Sequence, residues 1–502
     1  MISNAMSHAA ARAPSEVIRR VSSGISELDY ILNGGFPRQH CILIAGATGT
    51  GKTTLALQFL LAHQARGERS LFVSMAQTRT SLNDIARSHG WELDPNLCHV
   101  LDIEDFLPAA DREDAHLFKP DLADLVQTCS IIVDRIREID AKAVVLDTLS
   151  EMRLLAVDPL RFRRAIYNLK TGVGHLGIPL MLITDHLARA DPIPNLVDTV
   201  VELEHHSVAF GRDLRRIRIQ KMRSSDFIEG YHDLRIQRSG MHIFPRVLPR
   251  TEGYLPDQEA VSEKFATGSP QLDQLLGGGL DRGARILSFG PTGVGKSTLG
   301  YQLALTAAAR GEGSVIWSFE DLPHLIRARM AEMTNQTALL GRISLHHMEQ
   351  RMVPPGEFVR TLIDEIKDGD LRLVILDSLS GLTQALGSPP HDTSYIQDLM
   401  TFLTAHGVMV YITMPHSGPS TNQSQEHILS LMADTILSLQ YTVDKDRIGR
   451  CLGVIKQRSG PHHTTVHNYS LDDDGLHIGR PLSNIAGLMP GQPRHVVDDA
   501  AS

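Results

Sequence analysis

A chain of 502 residues exceeds one ordinary hydrophobic core and predicts two or three domains; its 42% apolar and 21% charged residues are those of a folded globular protein. The net charge of −9 supplies no general pull toward nucleic acid or anionic lipid. Apolar runs such as "IPLMLIT" (178–184) and "VMVYITM" (408–414) fall far short of the roughly eighteen residues that cross a bilayer. No charged-then-apolar leader opens the sequence, so a cytoplasmic protein is expected. Cys41, Cys98, Cys129 and Cys451 lie far apart without paired spacing and read as reduced core thiols.

Residues 1–15 lack periodicity and are expected to be a mobile N-terminus. A first α/β domain is expected over 16–247. In it "CILIAG" (41–46) is a short apolar run ending in Gly, the mark of a strand buried on both faces. Apolar residues at Leu122, Leu125, Val126, Cys129, Ile132, Val133, Ile136 and Ile139 recur at 3–4 spacing and predict an amphipathic helix over 122–139. "AVVLD" (143–147) is the next buried strand. A Pro-rich, charged stretch predicts a linker at 248–261. A second domain is expected over 262–482, containing "RILSFG" (285–290) and "LVILD" (373–377), followed by a tail at 483–502. Strands alternating with helices predict a mostly parallel sheet in each half.

The two halves repeat one another. "SSGISELDYILNGGFPRQHCILIAGATGTGKTTLALQFLL" (22–61) aligns without a gap on "ATGSPQLDQLLGGGLDRGARILSFGPTGVGKSTLGYQLAL" (266–305), so that Gly24 matches Gly268, Asp29 matches Asp273 and Lys52 matches Lys296. Later, "KAVVLDTLSEM" (142–152) answers "RLVILDSLSGL" (372–382), and "RIQKMRSS" (218–225) answers "GVIKQRSG" (453–460).

Each copy holds a G-x-x-x-x-G-K-[ST] loop between a strand and a helical pattern: "GATGTGKT" (46–53) and "GPTGVGKS" (290–297). Gly46, Gly49 and Gly51, like Gly290, Gly293 and Gly295, let successive backbone N–H groups turn inward around a β-phosphate. Thr48, Thr50 and Thr54 in the first loop, and Thr292, Val294 and Thr298 in the second, complete the cradle. Lys52 and Lys296 neutralise β- and γ-phosphate charge, Thr53 and Ser297 offer a hydroxyl to Mg²⁺, and the helix N-terminus adds positive potential. Asp147 and Asp377 end apolar strands, where a carboxylate can hold a Mg²⁺-bound water. A nucleoside triphosphate and Mg²⁺ are therefore expected in both halves.

With these residues in view, the chain resembles the KaiC family of RecA-like ATPases over nearly its whole length. "ARSHGWEL" (86–93), "KMRSS" (221–225), "MHIFPR" (241–246) and "ADTILSLQY" (433–441) carry the resemblance beside the phosphate loops. It implies two tandem RecA-like P-loop domains, a nucleotide-dependent hexamer of two stacked rings, ATP between neighbouring subunits, slow hydrolysis, and serine/threonine autophosphorylation in the C-terminal ring. It also implies clock-type or signalling protein partners. In the family, paired glutamates follow the second core strand and serve the attacking nucleophile. Glu320 and Asp321 match that pair, with Glu320 as the general base and Asp321 its supporting carboxylate. The first half has Ala76 and Gln77 there; a glutamine can orient water but takes no proton. The expectation is a first half that binds ATP and assembles the ring, and a second half that carries the chemistry. The family's Lys/Arg pair that reaches the neighbour's γ-phosphate matches Lys221 and Arg223, and Lys456 and Arg458; alternate positions on a strand point one way. Its phosphoacceptor serine and threonine align with Ser430 and Leu431, so one acceptor survives.

The pair His205-His206, and His462-His463 with His467, lack metal-site spacing and read as exposed histidines. Two other functions stand beside the ATPase and autokinase. A DNA-handling motor would need basic loops, against which the acidic balance and the absence of a C-x₂-C pair weigh. A nucleotide-gated scaffold would need no base, against which Glu320 weighs.

Overall fold

The computed structural model describes residues 19–102, 125–154, 156, 158–185, 193–207, 213–246, 263–348, 353–368, 371–386, 392–415, 432–444, 447–483, 485–486 and 494–495. Ser430, the expected linker and the first fifteen residues lie outside them. The chain divides after Arg246 into two compact units.

The N-terminal unit is built on a nine-stranded sheet. In chain order its strands are β1 (Cys41–Gly46), β2 (Ser70–Ser74), β3 (Cys98–Leu101), β4 (Ala143–Asp147), β5 (Leu180–Thr184), β6 (Thr199–His206), β7 (Leu214–Met222), β8 (Tyr231–Gln237) and β9 (Gly240–Phe244). Across the sheet they run β3-β2-β4-β5-β1-β6-β7-β8-β9. The six strands from β3 to β6 are parallel and the rest antiparallel. The parallel strands read as unbroken apolar runs because both faces are covered. Ile42, Ile44, Phe72 and Val145 enter one core cluster, while Leu43, Leu71, Val73, Val144 and Leu146 enter another.

Helix α1 (Lys52–Gln64) follows β1 and is buried at Leu55, Ala56, Leu57, Phe59 and Leu60. Helix α2 (Arg79–Ser88) is capped by Thr78, whose hydroxyl accepts the Ser81 N–H. The expected helix over 122–139 is described as α3 (Leu125–Glu138). Helix α4 (Pro159–His175) starts with Pro in its first turn and an Asp158 cap that accepts from the Leu160 and Arg161 N–H groups.

The C-terminal unit repeats this plan. Strands β10 (Arg285–Gly290), β11 (Gly313–Ser318), β12 (Ile343–His347), β13 (Leu371–Asp377), β14 (Met409–Pro415), β15 (Thr435–Asp444), β16 (Arg447–Gln457), β17 (His467–Asp472) and β18 (Gly475–Pro481) run β12-β11-β13-β14-β10-β15-β16-β17-β18. Helix α5 (Lys296–Ala309) follows β10, and α6 (Pro323–Glu332) and α7 (Pro355–Asp368) match α2 and α3. Both units are thus α/β folds of the tandem RecA-like kind. In each, the loop after the central strand opens where the chain order reverses to either side, the point at which open α/β sheets bind ligands.

Candidate functional site

The phosphate loops take the shape their glycines permit. Gly49 and Gly51 have φ of 81° and 104°, Gly293 and Gly295 of 79° and 107°, and Gly51 and Gly295 cap α1 and α5 in the left-handed conformation. A Cβ on Gly46 would stand 2.5 Å from the Leu203 carbonyl oxygen, and one on Gly290 1.8 Å from that of Leu439. Those glycines let each loop lie against the neighbouring strand. Thr48, Gly49, Thr292 and Gly293 are exposed at the crest, with Thr50 and Val294 buried beneath and Thr54 and Thr298 on the first helical turn. The Thr50 hydroxyl donates to the Ala47 carbonyl at 2.8 Å and holds the first loop closed.

Both loop lysines are buried and turned back into the loop. Lys52 Nζ donates to the carbonyls of Gly46 (2.7 Å) and Ala47 (3.0 Å), and Lys296 Nζ to those of Gly290 and Pro291, both at 2.8 Å. Burial lowers the Lys296 pKa, partly offset by Asp377 and Glu320. Lys52 also pairs with Asp185 at 2.9 Å. Register places Pro415 at the matching position of the other unit: Asp185 follows the Ala45–Thr184 partners just as Pro415 partners Gly290.

Thr53 Oγ1 donates to Asp147 Oδ2 at 3.2 Å. Burial raises the Asp147 carboxyl to about 6, against the pull of Thr53 and Lys52. A hydroxyl and a carboxylate brought together at the end of a phosphate loop are hard oxygen donors that fit Mg²⁺, and a cation there would offset the burial that disfavours the charged carboxylate. Ser297 and Asp377 hold the equivalent positions. Asp377 accepts a hydrogen bond from the Thr413 hydroxyl, whose sheet position is Ile183 in the first unit. A cis peptide follows each aspartate, at Asp147-Thr148 and Asp377-Ser378.

The segment after the second strand is built alike in both units. The Met75 N–H donates to the Asp147 carbonyl at 2.9 Å, and the Phe319 N–H to the Asp377 carbonyl at 3.0 Å. Ala76 and Glu320 therefore occupy one place, as do Gln77 and Asp321. Glu320 is exposed, and its Oε1 accepts from the Ser378 hydroxyl at 3.3 Å. Asp321 pairs with Arg329 at 2.8 Å. In the first unit, Gln77 Oε1 is buried without a hydrogen-bond partner among the described residues.

The Lys/Arg pairs sit differently from a plain strand alternation. Lys221 and Lys456 lie in β7 and β16, but Arg223 and Arg458 lie one residue past the strand ends. Each strand also carries a bulge just before its lysine, where Gln220 and Ile455 are the extra residues. Within its own unit the first pair closes the 194–198 turn. Lys221 Nζ donates to the Pro194 (2.7 Å) and Val197 (2.8 Å) carbonyls, and Arg223 reaches the Asn195 carbonyl at 3.1 Å and Asp198 at 3.4 Å. Arg458 stands 3.7 Å from Asp434, the counterpart of Asp198.

Asp185, Ser378 and Thr413 were not expected from the sequence. Asp185 ends the apolar run "LMLIT" just as Asp147 ends "AVVL", and that shared signal would have found it. The four cysteines are buried thiols outside any disulfide. His205 bonds Asp213 at 2.9 Å and His206 bonds Glu204 at 3.0 Å; His467 bonds Thr465 at 3.0 Å and His463 donates its backbone N–H to Leu275 at 2.9 Å. Among the described residues no group of three or more His, Cys, Asp or Glu is placed to hold a metal, and no helix is long and apolar enough to cross a membrane.

The family model of the KaiC ATPase matches residues 21–247 and 265–483. The chain is 25% identical over 497 residues to the circadian clock protein KaiC3 of Synechocystis sp., covering 95% of each chain. It is 25% identical to the circadian clock oscillator protein KaiC of Picosynechococcus sp., covering 97% of this chain and 94% of that one, and 24% identical to that of Synechococcus elongatus over the same shares. Two family-model matches that together span most of the chain, on two copies of one phosphate-loop sheet, make this chain a member of the KaiC ATPase family.

Proposed function

We propose that this chain is an ATP-dependent self-assembling ATPase and serine/threonine autokinase, with domains at 16–247 and 262–482, that works in the cytoplasm as a signalling or clock-type regulator. ATP binds both phosphate loops and draws subunits into a hexamer of two stacked rings. Hydrolysis proceeds mainly in the C-terminal domain. The observation that carries this reading is the contrast at one structural position, Ala76 in the first unit and Glu320 in the second.

In the C-terminal domain Glu320 accepts the proton of the attacking water or hydroxyl, and Asp321, fixed by Arg329, supports it. Lys296 and the loop N–H groups would hold the triphosphate, and Ser297 with Asp377 would hold Mg²⁺, whose charge would offset that of the phosphates. Lys456 and Arg458 act on a neighbour's γ-phosphate, which ties turnover to assembly; Lys221 and Arg223 do so in the other ring. In the first domain Thr53 and Asp147 take the metal, and Gln77 orients water without accepting its proton. Ser430 is the proposed phosphoacceptor.

Lys52→Ala and Lys296→Ala, assayed separately, test the division. Steady-state hydrolysis is expected to fall mainly in Lys296→Ala, and nucleotide-driven assembly, read by native mass with and without Mg-ATP, mainly in Lys52→Ala. Turnover that disappears only in Lys52→Ala reverses the assignment. Phosphosite mapping after incubation with Mg-ATP tests Ser430; an unmodified Ser430 beside a phosphate elsewhere removes it.

A further inference from the structure

The N-terminal unit carries a polar cleft of 530 Å³ away from its phosphate loop, bounded by α2, the edge strand β3 and α3. Among the described residues, three arginines line it, Arg79, Arg87 and Arg135, with His99 and Trp91, and Glu92 is the one acid. In a chain of net charge −9, such a concentration of cations is a departure from the average surface.

The cations are placed by the fold. Arg79 Nη2 donates to the Val100 carbonyl at 2.8 Å, which aims it along the edge strand. Arg87 stands 3.6 Å from Asp84, and Arg135 bonds Glu138 at 2.7 Å, each through an exposed pair on its own helix. Exposed pairs of this kind contribute little to stability, so a stronger anion can displace the partner carboxylates. Trp91 is half-buried and stacks on His89 with centroids 4.6 Å apart, so its ring is held in place. Burial, with Arg135 next, lowers the His99 pKa, in keeping with a positive local field.

The internal repeat is a control for these features. By helix position and strand register, Pro323 of α6 answers Arg79, Ala331 answers Arg87, Ser344 of β12 answers His99 and Glu365 of α7 answers Arg135. The same fold needs none of the three arginines, and one position reverses its charge. They are therefore not a requirement of the architecture.

We infer that this cleft binds a nucleoside monophosphate, its phosphate held by Arg79, Arg87 and Arg135 and its base set against Trp91. The volume lies within the range of small-ligand sites, and guanidinium groups suit a phosphate dianion. A monophosphate has no β- or γ-phosphate for the P-loop lysine to hold.

Equilibrium dialysis of AMP against the full chain carrying Lys52→Ala and Lys296→Ala tests this, and the unsubstituted chain with its loops saturated by Mg-ATP repeats it without those changes. Retention of about one AMP per chain is expected, displaced by inorganic phosphate and weakened about tenfold or more by Arg87→Ala with Arg135→Ala. Absence of retention at millimolar AMP overturns the site. So does retention that the arginine substitutions leave unchanged.

Discussion

Gln77 and Asp321 hold the same place in two sheets: the backbone N–H of each donates 2.9 Å to the hydroxyl of the serine that ends the preceding strand, Ser74 in one unit and Ser318 in the other. The scaffold around the two side chains is thus alike, and the difference between the units at this point is chemical. One residue earlier it is larger still, a methyl group at Ala76 against a carboxylate at Glu320.

That contrast predicts the outcome of exchanging the groups. Glu320→Gln keeps the size and the hydrogen bond from Ser378 but removes the proton acceptor. A general base contributes about 10²–10⁴-fold, so hydrolysis is expected to fall by roughly two orders of magnitude or more with ATP binding retained. Ala76→Glu is expected to raise turnover in a Lys296→Ala background, because the backbone already presents that position. Phosphate release measured on the two variants checks both; an unchanged rate in Glu320→Gln would remove Glu320 from the mechanism.

The loop glycines give a prediction about stability. A Cβ at Gly290 would fall 1.8 Å from the Leu439 carbonyl oxygen, a backbone atom of the paired strand β15 that moves only if the sheet moves. Gly290→Ala is expected to destabilise the C-terminal unit by about 3 kcal/mol or more. Gly49→Ala meets no atom of the described residues within 4 Å; its cost is that of a non-glycine residue at φ 81°, about 1 kcal/mol. Urea unfolding of both variants checks the order, and equal losses would contradict it.

How much of this was legible in the sequence depended on the range of the interaction. The phosphate loops are contiguous, and their glycines, lysine and hydroxyl must be neighbours in the chain to wrap one phosphate, so the motif exposes them. The repeat is gapless across 22–61 and 266–305, which exposed the second copy at once. The Lys52–Asp185 pair and the Thr413–Asp377 bond join residues on different strands, and only the sheet order brings them together. The bulges at Gln220 and Ile455 arise from pairing with β6 and β15, which no local pattern records. For the same reason a simple alternation did not foresee that Arg223 and Arg458 stand beyond their strands.

His232 supplies a pH dependence whose sign is fixed. Its Nδ1 accepts the Arg246 N–H at 2.8 Å, so Nε2 carries the proton and donates to the Ile228 carbonyl at 3.2 Å. Burial lowers its pKa from 6.5 to about 4, with Arg246 pushing the same way. The unfolded chain therefore binds the proton first on acidification. The contribution of His232 is fully present above pH 6.5 and is lost as pH falls toward 4, a loss of up to roughly 3 kcal/mol. His232→Gln preserves an acceptor and a donor but does not titrate. Unfolding followed by Trp91 emission in a Trp317→Phe background reads this unit. The stability difference between that chain and the same chain carrying His232→Gln is expected to shrink or change sign between about pH 7 and 4; a pH-independent difference would contradict it.

The placement of Arg458 separates action within a subunit from action on a neighbour. Its guanidinium is 3.7 Å from Asp434, and the Arg458 N–H donates to the Asp434 carbonyl at 2.9 Å, so the residue is anchored at the rim of its own sheet. Arg458→Ala is expected to lower turnover by roughly 10³-fold if it acts as an arginine finger, with ATP affinity little changed. Glu320→Gln is inactive for a different reason, since it lacks the base. A ring assembled from equal amounts of the two variants would join an intact Glu320 on one subunit to an intact Arg458 on the next at about a quarter of its interfaces, and about that share of activity should return. If Arg458 served the ATP of its own subunit, every site in the mixture would lack one group or the other and no activity would return. Phosphate release from the mixed assembly, compared with each variant alone, decides between the two arrangements.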